Sequence, residues 1–211
     1  MSEPQANQVV NVPNQLTAVR LVLAIVLFVV IGMAQGQDAR AQGASTSGGS
    51  SPLYVAAFIL FVIAAGTDWV DGFYARRYDQ VTVLGRIFDP FVDKVIICGT
   101  FVFLVASKGS QVSAWMAVVV VVRELLVTAL RSFFERRGTD FSAAWAGKIK
   151  MVLQCLAVAA SLWLLSYNRP EANAQPEWLV YTVIVLVWSA IVVTIYSGVE
   201  YVVAASRLWR D

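Results

Sequence analysis

The residues able to do chemistry are concentrated in one stretch. Five of the fourteen acids fall between Gly66 and Val95, in GTDWVDGFYARRYDQVTVLGRIFDPFVDKV. Read as a helix, Asp68, Asp71, Gly72, Ala75 and Arg76 stand at i, i+3, i+4, i+7 and i+8. They share an arc of about 140°. After a short turn, Gly85, Asp89 and Asp93 stand at i, i+4 and i+8 and share a second face. Pro90 suits a helix's first turn there and would kink an interior. Four converging carboxylates repel one another and need a cation or shared protons. The donors are all oxygen and the chain has no histidine. The cation they suit is hard, Mg²⁺ or Mn²⁺. Gly72 and Ala75 let a bulky ligand approach the helix backbone, and Arg76 can pair bidentately with a phosphate. The set describes a divalent-metal site for a phosphate-bearing ligand.

The elements that must position these residues are apolar. Of 211 residues, 58% are hydrophobic and 14% charged, with a mean hydropathy of +0.67. Ordinary soluble domains carry about 25% charge, so a soluble globule is excluded, as is a disordered chain. Cys98 and Cys155 lie in apolar runs, which excludes a disulfide framework and a Cys-rich zinc site. A formal charge of +2 is too small to point to nucleic acid. The expectation is an all-α integral membrane protein of one domain, residues 1–211. Its six transmembrane helices come from Leu16–Ala34, Leu53–Gly66, Val92–Ser107, Ser113–Leu130, Met151–Tyr167 and Trp178–Val199. Residues 1–12 read as an N-terminal tail without a cleavable signal. Residues 35–52, with AQGASTSGGSS at their centre, read as a flexible outside loop.

Lys/Arg placement sets the orientation. With the N-terminus inside, the inside connections and tail hold Arg76, Arg77, Arg86, Arg136, Arg137, Lys148, Lys150, Arg207 and Arg210. The outside holds Arg40, Lys108 and Arg169. This is the positive-inside arrangement, with both termini cytoplasmic. Arg20, Lys94, Arg123, Glu124 and Arg131 fall at the inside ends of spans or within them. Snorkelling explains a basic residue or two, but not the acids. Charges at that depth face a cavity or each other, which implies a cytoplasm-facing polar cavity.

The spacing D-x2-D-G-x2-A-R-x8-G-x3-D-x3-D, met by Asp68, Asp71, Gly72, Ala75, Arg76, Gly85, Asp89 and Asp93, resembles the signature of the CDP-alcohol phosphotransferase family. The resemblance implies six transmembrane helices, a homodimer and a two-metal site at the cytoplasmic surface of a bacterial inner membrane. Family members move the phosphatidyl group of a CDP-linked lipid to an alcohol and release CMP. It further implies that Asp68, Asp71, Asp89 and Asp93 hold the metals. Asp68, Gly72, Ala75, Arg76 and Gly85 would then bind the CDP-lipid, and Asp93 would be the general base. Within the family, NVPNQLTAVR (Asn11–Arg20), RELLVTALR (Arg123–Arg131), GKIK (Gly147–Lys150) and TIYSGVEY (Thr194–Tyr201) resemble segments of bacterial phosphatidylglycerophosphate synthases. The resemblance runs from about Asn11 to Val202. Met151, after GKIK, stands where a small polar residue is expected. Asn14 and Thr17 read as cap residues of the first helix, and by resemblance they border the nucleotide.

The acceptor is read from the remaining cations. Arg123, Glu124 and Arg131 share an arc of about 100° on one helix, with Lys148 and Lys150 at the inner end of the fifth span. A basic cluster facing the carboxylates suits an anionic acceptor such as glycerol 3-phosphate. On this reading Arg123, Arg131, Lys148 and Lys150 bind its phosphate, while Glu124 pairs with Arg123 or Arg131. The partners expected are CDP-diacylglycerol, glycerol 3-phosphate and membrane lipids. Rival readings are phosphatidylinositol-phosphate synthase, phosphatidylserine synthase, cardiolipin synthase and, outside the family, a divalent-cation transporter.

Overall fold

The computed structural model describes residues 12–44, 51–78, 83–136, 145–167 and 175–208. Six helices follow in order among them: α1 Val12–Ala44, α2 Ser51–Tyr78, α3 Val83–Ala106, α4 Ala114–Arg136, α5 Trp145–Ser166 and α6 Glu177–Leu208. No strand occurs among the described residues. Three helices are long and apolar enough to cross a membrane, over Ala18–Ala41, Gly147–Ser166 and Glu177–Arg207. Shorter apolar stretches lie at Pro52–Thr67 in α2 and Lys94–Ala106 in α3.

Helix is the state lipid demands, because a lone segment in hydrocarbon must satisfy its own backbone. In α4, Val118–Val122 is an unbroken β-branched run that nonetheless stays helical, so local propensity does not decide its state. The helices pack so that α1 lies against α2 and α3, α5 against α2, α3 and α6, and α4 against α3 and α6. Leu27 and Ile31 of α1, Phe61 of α2, Phe101 and Leu104 of α3 and Leu162 of α5 fill the core between them. A smaller cluster of Val127, Phe134, Tyr201 and Ala205 joins α4 to α6.

Two expectations change. The first helix continues ten residues beyond Ala34 to Ala44, so residues 35–44 of the expected loop are helical. Their polar side chains find partners on neighbouring helices. Gln35 Nε2 donates to the Phe103 carbonyl at 2.6 Å and to Ser107 Oγ at 2.9 Å. The hydroxyl of buried Tyr54 donates to Asp38 Oδ2 at 3.0 Å. Residues 45–50 of that loop lie outside the described residues. Also, α1 begins at Val12, so Asn14 and Thr17 sit within its first two turns and are not its caps.

Between α3 and α4 the chain turns at once. Gly109 adopts a φ of +88°, which favours glycine, and Ser110 Oγ donates to the Leu104 carbonyl at 2.7 Å. The approach of α1 to α3 rests on another glycine. A Cβ on Gly99 would overlap the Phe28 ring, which stacks on Phe103 with centroids 5.2 Å apart. Gly99→Ala is therefore expected to displace Phe28 and destabilise the fold by about 1–3 kcal/mol. Thermal unfolding in detergent reads this out, and an unchanged transition would contradict it.

Candidate active site

Both halves of the acidic signature lie on helices. Asp68, Asp71, Gly72, Ala75 and Arg76 occupy the closing turns of α2, and Gly85, Asp89 and Asp93 the opening turns of α3. Side chains at 12–17, 68–78, 83–90 and 93 lie outside the described residues, so the convergence expected of the four carboxylates does too. Pro90 stands about two turns into α3 and not in its first turn, where it removes one N–H donor from the helix ladder. The two signature helices share two neighbours, since α1 and α5 each pack on both.

Asp68 and Asp71 stand at i and i+3 on the backbone of α2, and Asp89 and Asp93 at i and i+4 on that of α3. Carboxylate oxygen is the donor type that hard dications take.

Directly after Asp93, the half-buried Lys94 reaches to α4. Its ammonium donates to Thr128 Oγ1, whose hydroxyl donates to the Glu124 carbonyl at 2.6 Å. One turn away on α4 lies a charged cluster that water barely touches. Arg123, Glu124 and Lys150 are 8%, 7% and 6% exposed. Glu124 Oε1 accepts from Arg123 Nη1 at 3.2 Å and from Lys150 Nζ of α5. Arg123 Nη2 also donates to the hydroxyl of Ser197 on α6, which is fully buried. Among the described residues, two cations thus share one carboxylate, leaving one positive charge in excess within this buried set. Deeper along α5 and α6 the contact continues as Gln154 Nε2 donating to Thr194 Oγ1 at 2.9 Å.

The structure therefore brings together Arg123, Glu124 and Lys150, and not all the cations expected to join them. Arg131 is exposed although it shares the Arg123 face, because it stands two turns nearer the helix end. Lys148 is exposed because two residues on a helix turn about 200°, which sends Lys148 and Lys150 to different sides. Arg20 of α1 is buried, as a charge within the first span must be. Sequence reasoning missed Ser197 and Tyr201, which contact Arg123, and Thr128, which contacts Lys94. Their signal was available for α6, since Ser197 and Tyr201 interrupt an apolar run at helical spacing.

The sequence profile described as CDP-alcohol phosphatidyltransferase matches residues 10–198. A protein of Bacillus subtilis (strain 168) named CDP-diacylglycerol--glycerol-3-phosphate 3-phosphatidyltransferase is 36% identical over 192 residues, 90% of this chain and 93% of its own. A protein of the same name from Escherichia coli (strain K12) is 36% identical over 152 residues, 71% of this chain and 78% of its own.

Proposed function

The chain belongs to the CDP-alcohol phosphatidyltransferase family, and on that premise we propose that it transfers the phosphatidyl group of CDP-diacylglycerol to glycerol 3-phosphate, forming phosphatidylglycerophosphate and CMP. The observation that carries the choice of acceptor is the buried Arg123–Glu124–Lys150 cluster with its excess positive charge. It is tied through Glu124, Thr128 and Lys94 to the helix that bears Asp89 and Asp93. A phosphorylated alcohol supplies the negative charge this set lacks, whereas a neutral alcohol such as free inositol does not. The names of the relatives point to the same acceptor.

In this reading Asp68, Asp71, Asp89 and Asp93 would hold two Mg²⁺ ions, or Mn²⁺ in their place, which would supply positive charge to polarise the transferring phosphoryl group and offset the negative charge on departing CMP. Arg76 pairs with the pyrophosphate. Gly72, Ala75 and Gly85 leave room for the cytidine beside the helix backbones, and Asn14 and Thr17 border it. Asp93 takes the proton from the acceptor hydroxyl. The freed oxygen bonds to the phosphorus bearing diacylglycerol, and the bond from that phosphorus to the CMP oxygen breaks. No covalent intermediate with the protein forms. Arg123 and Lys150 orient the acceptor phosphate, with Arg131 and Lys148 attracting it from the exposed side.

The same reading makes the chain a homodimer with six spans in a bacterial inner membrane. Both termini face the cytoplasm, and the acyl chains of the substrate stay in the inner leaflet. Purified protein given CDP-diacylglycerol, Mg²⁺ and a panel of labelled alcohols tests it. Lipid product and CMP release are expected with glycerol 3-phosphate and not with inositol phosphate, inositol, serine or phosphatidylglycerol. EDTA should abolish both. Product with another acceptor alone would overturn the acceptor. Failure of every acceptor to release CMP, together with metal uptake into proteoliposomes, would favour a cation transporter.

A further inference from the structure

Arg123 is held by more than its carboxylate. Ser197, Gly198 and Tyr201 of α6 span about 100° of helix surface, and all three meet it. Ser197 Oγ accepts from Nη2. The Tyr201 ring lies under the guanidinium, its centroid 5.6 Å from Cζ. Gly198 leaves space for the aliphatic stem, since a Cβ there would stand 3.2 Å from Arg123 Cγ, closer than ordinary contact. The seat does not exhaust the guanidinium. Arg123 Nε is buried and makes no hydrogen bond among the described residues.

We propose that Ser197, Gly198 and Tyr201 are positioning residues that fix the Arg123 guanidinium for the acceptor's phosphate, and thereby give the enzyme its preference for a phosphorylated alcohol. The inference rests on Arg123 meeting the acceptor, as proposed above. Without the seat, the only described anchor of the guanidinium would be Glu124, which Lys150 shares. A long side chain held from one side samples several rotamers, and each encounter with substrate must then order it. An aromatic face below, a hydroxyl at one nitrogen and a carboxylate at the other leave one plane for the fork. The remaining N–H groups then stand ready for an oxyanion.

The test is steady-state kinetics of the full chain in mixed micelles, varying each substrate in turn. Ser197→Ala and Tyr201→Leu should each raise KM for glycerol 3-phosphate about five- to tenfold. kcat and KM for CDP-diacylglycerol should stay within about twofold. Gly198→Ala should shift the same KM upward by crowding the stem. In an Arg123→Lys background, Ser197→Ala should add nothing, because its partner is already gone. A merely structural contact would lower kcat or the unfolding temperature without a selective change in acceptor KM, and that pattern overturns the proposal. So does a raised acceptor KM in Arg123→Lys with no change in Ser197→Ala or Tyr201→Leu. An unchanged acceptor KM in Arg123→Lys instead removes Arg123 from the acceptor site and overturns the reading beneath.

Discussion

Asp93→Asn is expected to lower kcat by about a hundredfold to ten-thousandfold while CDP-diacylglycerol still binds, because the acceptor hydroxyl then has no group to take its proton. The chain contains no histidine that could take over. Asn keeps the size and polarity of the side chain and loses its negative charge and its basicity, so the opening turns of α3 should survive the change while three carboxylates remain for the ions. Those turns are anchored next door, where Lys94 donates to Thr128 of α4. CMP release in single turnover gives the chemical step, and equilibrium binding of CDP-diacylglycerol gives the affinity. A kcat within tenfold of the parent would end the general-base assignment. Loss of binding as severe as the loss of turnover would leave Asp93 only its part in holding a cation and count against its moving a proton.

The second large effect concerns stability. Glu124→Gln leaves Arg123 and Lys150 facing each other with no carboxylate between them, at sites where their side chains are 9% and 7% exposed. Removing one partner of a buried ionic set destabilises by about 3–5 kcal/mol, because the remaining charges can neither pair nor reach water. Glu124→Gln should therefore unfold well below the parent chain in detergent. Adding Lys150→Met should recover much of the loss, since it removes the second uncompensated charge. The doubly substituted chain should fold and yet use glycerol 3-phosphate poorly. A parental unfolding temperature for Glu124→Gln would show that water reaches the cluster and that the carboxylate does not hold it.

How much of this was legible differs from element to element. The acidic signature was legible because helical spacing is a local property: carboxylates three and four residues apart share a face wherever the helix lies. The described backbone is helical on both sides of the expected turn. The membrane class was legible because so many apolar residues and so few charges leave no soluble alternative. Residues 35–44 were misread because local polarity looked like a loop. Their helix is held by bonds from Gln35 and Asp38 to residues 68 and 16 positions along the chain, which no local pattern reveals.

The cation cluster divides the same way. Sequence spacing puts Arg123, Glu124 and Arg131 on one arc of α4, and it cannot say that burial takes the first two and leaves the third exposed. Lys150 is buried and Lys148 is not because α5 turns only one of them toward Glu124. Ser197 and Tyr201 joined the site when α6 packed against α4. By itself, then, the sequence determined the family, the helical class and the apolar character of the chain, since those follow from residue type and local periodicity. Only the tertiary structure decided which charges meet, because a buried ion survives where a partner from another helix arrives, and that depends on helix packing.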